Sequence, residues 1–305
     1  MDAIERDLLL KIADLHGVPE GAYNIRSNGV SVQRNCTANI DIETKNDKSG
    51  IDIYIRPGTK NESVHIPVIL DKNGLKEKVY NDFHIGEGAD VVIVAGCGIH
   101  CGGADDMQHD GIHTFYVEKN ARVKYIEKHY GEGDGNGKRV LNPETVIYLA
   151  EGAYMEMEAT QIKGVDSTVR VTKAKVGDNA KLVIHEKIMT HGNQLAKTDF
   201  IVDLDGENSA ANVVSRSVAK DNSKQIFISN IRGNNKCSGH TECDAIIMDN
   251  ANVSAIPEIV AGNVDASLIH EAAIGKIAGE QLVKLMTLGL TEKQAEEQIV
   301  SGFLR

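Results

Sequence analysis

The sequence contains no tryptophan, and aromatic residues make up only 4% of its 305 positions. Carbohydrate grooves and single-stranded nucleic-acid platforms are built on stacked rings, so this scarcity argues against both. Cations are short as well: 33 Lys and Arg face 44 Asp and Glu, for a formal net charge of −11. Neutralising phosphates takes clustered Lys and Arg, so nucleic acid is not an expected partner. No apolar run approaches the ~18 residues of a membrane span. The opening Met1-Asp-Ala-Ile-Glu-Arg-Asp7 is charged throughout, without the apolar stretch of a secretory signal. The expectation is a cytoplasmic protein, with no membrane partner, whose five cysteines (Cys36, Cys97, Cys101, Cys237, Cys243) are thiols. Hydrophobic residues reach 41%, mostly Val, Ile, Leu and Ala, which suffices for a sizeable core.

Ile4, Leu8, Ile12 and Leu15 lie at helical spacing, with Asp2 as a cap and Gly17 and Pro19 as a stop. From about 28 to 268 no amphipathic helix is evident. Short alternating runs such as Ile51-Asp-Ile-Tyr-Ile55 and Val91-Val-Ile-Val94 occur instead. Between them a corner recurs: Glu87-Gly88-Ala89, Lys119-Asn120-Ala121, Glu151-Gly152-Ala153, Asp178-Asn179-Ala180, Glu207-Asn208-Ser209 and Asp249-Asn250-Ala251. Gly and Asn tolerate a left-handed backbone, and a small residue after the turn suits close stacking of coils. The small residues are spaced by 32, 32, 27, 29 and 42 positions. A helix-free repeat of this length is a β-solenoid signature. The predicted fold is therefore mainly β: a right-handed parallel β-helix over 28–268, after an N-terminal helical segment at 1–27. A C-terminal helical segment follows at 269–305. Its first helix spans Glu280–Leu288 before Gly289, and Thr291-Glu-Lys-Gln294 forms the capping box of its second. Ala295, Ile299, Val300 and Phe303 are the apolar face of that second helix.

The densest set of candidate ligands is Gly96-Cys97-Gly-Ile-His100-Cys101-Gly-Gly103, followed by His109 and His113. Thiolate and imidazole suit zinc or iron. On a straight strand Cys97 and Cys101 would stand ~13 Å apart, so joint ligation requires the segment to bend. A second cluster is Cys237-Ser-Gly-His240-Thr-Glu-Cys243-Asp244. Third is His270-Glu271, of which at most one residue can face the core, since neighbours on a strand alternate. His185-Glu186 repeats the dipeptide and shows how little it means alone. There is no nucleophile elbow, phosphate-binding glycine loop or HExxH pattern. Gly131-Glu-Gly-Asp-Gly-Asn-Gly137 lacks the acidic spacing of a calcium loop and reads as a solvated turn.

Gly239-His-Thr-Glu-Cys-Asp244, His270-Glu-Ala-Ala-Ile-Gly-Lys-Ile277, Glu280-Gln-Leu282, Gly289-Leu290 and Ile299-Val-Ser-Gly-Phe303 together resemble the signature of the SufB/SufD family. These are scaffold subunits of the SUF iron–sulfur assembly system. Tyr130-Gly-Glu-Gly-Asp134 extends the resemblance, which covers about 80–305. It implies a β-helix core, homodimerisation near the C-terminal end, and docking of a SufC-type ABC ATPase on the terminal helices. It also implies a non-enzymatic scaffold that holds a transient four-iron–four-sulfur (4Fe-4S) cluster and passes it to apo acceptor proteins, ATP hydrolysis belonging to the partner. By motif, Cys243 matches the cysteine of the family's HTxCD segment, and His270-Glu271 matches the His-Glu pair of SufB. Cys237 and His240 are further cofactor candidates beside them. Where SufB has a Leu-Cys-Glu-Gly-like stretch, this chain has Leu149-Ala150-Glu151-Gly152. Cys97, His100 and Cys101 are candidates to stand in for that cysteine. The chain is also short of the N-terminal helical region of SufB, which fits a self-pairing form with one ATPase. The rival readings are a polysaccharide-acting β-helix enzyme and a purely structural solenoid.

Overall fold

A computed structural model describes residues 3–15 and 17–305. Helix α1 (Ala3–Ala13) leads into two facing sheets, each of ten strands in the described residues. The first sheet runs, in spatial order, β2 (Val30–Asn35), β1 (Ala22–Ser27), β5 (Lys60–Leu70), β7 (Asp90–His100), β9 (Arg122–Glu132), β12 (Tyr154–Lys163), β14 (Lys181–Thr190), β16 (Ser209–Ala219), β18 (Cys237–Ile247) and β20 (Ser267–Gly275). The second runs β19 (Asn252–Ala261), β17 (Lys224–Gly233), β15 (Leu195–Leu204), β13 (Ser167–Val176), β10 (Arg139–Leu141), β8 (Met107–Val117), β6 (Lys76–Ile85), β4 (Gly50–Ile55) and β3 (Ile40–Thr44). In it β11 (Glu144–Leu149) lies beside β10, between β13 and β8. Neighbours from β4 and β5 onward pair in parallel and the chain alternates between sheets, which is the expected β-helix. Inward residues fill the space between the sheets, with Phe83 stacked on Phe115 at 4.5 Å and Tyr125 tilted against Phe115.

The corners turn where glycine and asparagine predicted. Gly88, Asn120, Gly152, Asn179 and Asn208 all have φ between 55° and 68°. At the sixth, Asp249 takes the left-handed conformation, rather than Asn250. That corner also belongs to the other sheet, since it leads into β19. Strand register shows that Ser209 is followed across the sheet by Cys237, so the wide interval in the pattern was two different corners counted as one series. Ala89, Ala121, Ala153, Ala180, Ser209 and Cys237 form one buried column.

The amino-terminal boundary also differs. Residues 22–27 are strand, and β1 and β2 form an antiparallel hairpin across Asn28-Gly29, both with positive φ. Asn-Gly is the preferred pair for such a turn, and that local chemistry sets the hairpin. β3 and β4 are antiparallel as well. Helix α1 buries Leu8, Leu9 and Ile12 on the outer face of β7. A Cβ at Gly96 would lie 2.6 Å from the Ile12 carbonyl oxygen, and one at Gly98 3.1 Å from a Leu8 methyl. Those two glycines therefore seat the helix. The Asp2 cap lies outside the described residues.

At the other end strand continues to Gly275, so His270 and Glu271 lie on a strand and helix begins only at Gly279. Leu268 still packs on the core and β18 offers a full pairing edge, which keeps the chain extended past residue 269. α2 (Gly279–Thr287) and α3 (Glu292–Phe303) follow, with Gly289 left-handed and the Thr291–Gln294 capping box formed. α3 folds back on the outer face of the first sheet, where Val300, Phe303 and Leu304 pack with Val218, Met189 and Ile246. α2 buries no residue and exposes Val283 and Met286, and its C-cap Leu288 is exposed as well. No described helix is long and apolar enough to cross a membrane.

Candidate functional site

β18 and β20 carry the motif residues side by side. Glu242 pairs in register with Glu271, Thr241 with His270, and Cys243 with Ala272. Odd positions of β18 point inward and even ones outward, as the alternating burial of the strand shows. Cys243 is thus an interior thiol, whereas Glu271 lies outside with His240 and Glu242. His270 shares the inner face with Cys243. One rise of two residues (~6.6 Å) and one strand spacing (~4.8 Å) separate their positions. The structure therefore brings Cys243 and His270 together on one face and His240 and Glu271 together on the other. Cys237 joins neither set, because it is the small residue of a corner.

Burial, then the Glu186 and Asp244 carboxylates, push the Cys243 thiol up to about 12. It is a neutral thiol at physiological pH, and metal ligation must displace its proton. Burial, with His240 nearby, holds His270 below its usual value, so it is a neutral imidazole with a free lone pair. Its Nδ1 lies 2.6 Å from Thr241 Oγ1. Outside, His240 Nε2 is 3.6 Å from Glu271 Oε2, and the donor atoms of His240, Glu242 and Glu271 all lie within 4.8 Å of one another.

Across the sheet from Cys243, Ser215 and then Glu186 occupy the same inward row. Ser215 and Thr198 donate to the two carboxylate oxygens of Glu186 at 2.7 and 3.0 Å. Arg170 Nε approaches Glu186 at 3.4 Å, and the same guanidinium pairs with Glu127 and donates to His129 Nδ1 at 3.0 Å. Asn81 donates to His113 Nε2, leaving the proton of that ring on Nδ1, 2.6 Å from Tyr125 Oη. Tyr125 in turn donates to Glu127 at 2.9 Å. Burial alone would raise Glu127, but Arg170 outweighs it and holds the carboxyl down at about 2. Burial drives His113 down to about 4 and His129 to about 3. Of this buried network the sequence singled out His113 alone, as a candidate ligand beside Cys97 and Cys101. Glu186 belonged to a dipeptide set aside as weak, and Arg170 is flanked by outward Val169 and Val171, so its alternation reads inverted.

Cys97, His100 and Cys101 do not converge. β7 stays paired with β9 through His100, so the segment does not bend. Cys97 and Cys101 sit in an apolar interior cluster with Val68, Ile99, Met107 and Leu141. His100 faces outward, 3.3 Å from Glu132, which also binds Lys11 of α1. Cys97 instead shares a cavity of about 20 Å³ with His109, His113, His129 and Glu127. That space holds one water-sized body.

Residues 78–303 match the family described as SUF system FeS cluster assembly, SufBD core domain. Among similar proteins, an iron-sulfur cluster assembly SufBD family protein of Archaeoglobus fulgidus is 32% identical over 85% of this chain and 69% of its own length. One from Pyrococcus horikoshii is 27% identical over 96% of this chain and 84% of its own length. One from Methanocaldococcus jannaschii is 33% identical over 62% of this chain, and the chain spans only 60% of that relative. The parallel β-helix, the matched core domain and these relatives together place the chain in the SufB/SufD family of SUF-system iron–sulfur cluster assembly proteins.

Proposed function

We propose that this protein is the scaffold on which a cluster is built and from which it is handed on, with Cys243, His270 and Glu271 as its ligands. The observation that carries the reading is the position of these residues on the last two strands of the first sheet, at the open end of the solenoid. Replacing thiolate by imidazole or carboxylate gives a more easily exchanged ligand, which a scaffold that must release its cargo needs. One chain supplies a single thiolate here, and a symmetric pair doubles the set. Among the described residues β19 and β20 end their sheets with unpaired edges, and Ile256, Ile259, Val260 and Ile269 beside them are exposed. A long apolar edge of this kind pairs readily with another strand, and a second copy of the chain is its expected partner. The uncovered Val283 and Met286 of α2 and its C-cap Leu288 offer a docking face for a SufC-type ABC ATPase. α3 packs on the sheet that bears the ligands, so movement of the helical pair reaches the site. The expected cargo is a transient 4Fe-4S cluster destined for apo acceptor proteins.

Anaerobic reconstitution with iron and sulfide tests this reading. Cys243→Ser and Glu271→Ala should lose most of the bound iron and sulfide and slow transfer to an apo acceptor, whereas truncation after Lys276 should abolish co-purification with the ATPase and leave the β core folded. Wild-type loading and transfer in both point variants would refute the ligand assignment.

A further inference from the structure

The ligand positions split between two faces of one strand pair, and the two sets differ in chemistry. Inside stand a thiol and a neutral imidazole. Outside stand the His240 imidazole and the Glu242 and Glu271 carboxylates, with Asp244 hydrogen-bonded to Glu242 beside them and no sulfur. His240, Glu242 and Glu271 present donor atoms within 4.8 Å of one another. A cation with bonds of ~2.1 Å holds its ligands ~3–4 Å apart, so rotamer adjustments of under ~1 Å close the set. The geometry is fixed by backbone, since Glu242 and Glu271 are register partners on β18 and β20 and His240 precedes Glu242 by two residues on the same face.

The histidine is also oriented as a ligand. Its Nδ1 donates to Asn212 Oδ1 at 3.0 Å, which leaves the Nε2 lone pair facing Glu271 Oε2. Metal-bound histidines are held in this way, the second ring nitrogen tied to an oxygen that sets the tautomer. Asn212 lies on β16, so a third strand contributes the orienting group. Both sides of the set are open to solvent: Glu271 is exposed, and a cleft of about 370 Å³ lined by Glu158, His185, Arg216 and Arg305 reaches Glu242 from the α3 side. An ion can therefore enter without passing through the solenoid interior.

We propose that His240, Glu242 and Glu271 bind a single ferrous ion on the outer face, as a loading site separate from the inward thiol of Cys243. Nitrogen and oxygen donors without thiolate suit Fe(II), Mn(II) and Zn(II). The choice of ferrous iron among these rests on the cluster-assembly reading above. No redox step is involved. The ion exchanges water for protein ligands and waits for the sulfur chemistry.

Anaerobic equilibrium dialysis against Fe(II) alone, without sulfide, tests this. Wild type and Cys243→Ser are expected to bind one Fe(II) per chain with equal affinity, while Glu242→Gln and His240→Gln bind at least tenfold more weakly, all four showing the same circular dichroism. Mn(II) should bind more weakly than Fe(II), and Zn(II) more tightly. Wild-type Fe(II) affinity in both Glu242→Gln and His240→Gln, or a loss that follows Cys243→Ser instead, would overturn the proposal. The two readings separate cleanly. If Fe(II) binding depends on Glu242 but Cys243→Ser still assembles a full cluster with sulfide, the cation site stands and the scaffold ligands are wrong. If Cys243→Ser loses the cluster while Fe(II) binds Glu242→Gln as it binds wild type, the reverse holds.

Discussion

Cys243 and Glu271 stand on adjacent strands, one residue out of register, yet their side chains occupy opposite faces of the same sheet. A cluster held by both must reach around the sheet edge, or β20 must turn relative to β18. This relationship puts the thiol and the carboxylate of the motif on opposite faces of one strand pair.

Arg170 is 1% exposed and is the cation that Glu127, Glu186 and His129 share. Removing one partner of such a buried group leaves charge without compensation and typically costs ~3–5 kcal/mol. Arg170→Met is expected to lower unfolding free energy by about that amount in urea denaturation. Adding Glu127→Gln should restore part of the loss, because the stranded carboxylate is then neutral. Wild-type stability in the single variant would show that the network is not structural.

The same network predicts an acid-sensitive fold. His113 and His129 titrate near 4 and 3 in the folded chain and near 6.5 once unfolded, so the unfolded state takes up protons first as pH falls. Their contribution is complete above about pH 6.5 and drains away towards pH 3, while Glu127, at about 2 when folded and 4.5 when unfolded, loses its own as pH falls from about 4.5. Each pKa unit is ~1.4 kcal/mol, and the melting temperature should fall steadily from pH 6.5 to 4. His129→Gln should flatten that slope while lowering stability at pH 7. Differential scanning calorimetry across the range reads both effects, and an unchanged slope would rule out this origin.

Cys97 and Cys101 are interior apolar contacts that do not converge with His100. The double change Cys97→Ala and Cys101→Ala is expected to leave reconstituted iron and sulfide at the wild-type level, at a cost of ~1–2 kcal/mol in stability for each small cavity. A drop in iron content with the fold intact would restore a metal or sulfur-handling role to this pair.

The solenoid was legible because its corners need a left-handed residue, and only Gly and Asn supply that cheaply at Gly88, Asn120, Gly152, Asn179 and Asn208. The terminal helices were legible through Thr291 and Gln294, whose side chains close a local motif. The opening hairpin was equally local in its Asn28-Gly29 turn, and was missed. What no linear pattern could supply is register. Whether Glu242 meets Glu271, or Ser215 meets Cys243, depends on coil lengths between strands, and those vary. The buried Arg170 network is a product of the same long-range alignment. For Glu242 a signal did exist: it shares an outward face with His240 two residues earlier, so a period-2 reading of His240-Thr-Glu242 pairs them.

Among the described residues β20 has a hydrogen-bonded neighbour on one side only, whereas β18 is clasped between β16 and β20. In stacked repeats each coil draws its stability from its own turns and its immediate interfaces, so the last coil opens at lower free energy than those behind it. In the proposed scaffold the site is a vice with one fixed jaw and one that swings: Cys243, His240 and Glu242 ride on the anchored strand, and His270 and Glu271 on the fraying one. On that reading, letting go of the cargo requires no global unfolding, because peeling a single nine-residue strand from the end of the stack already removes two of the five ligand positions.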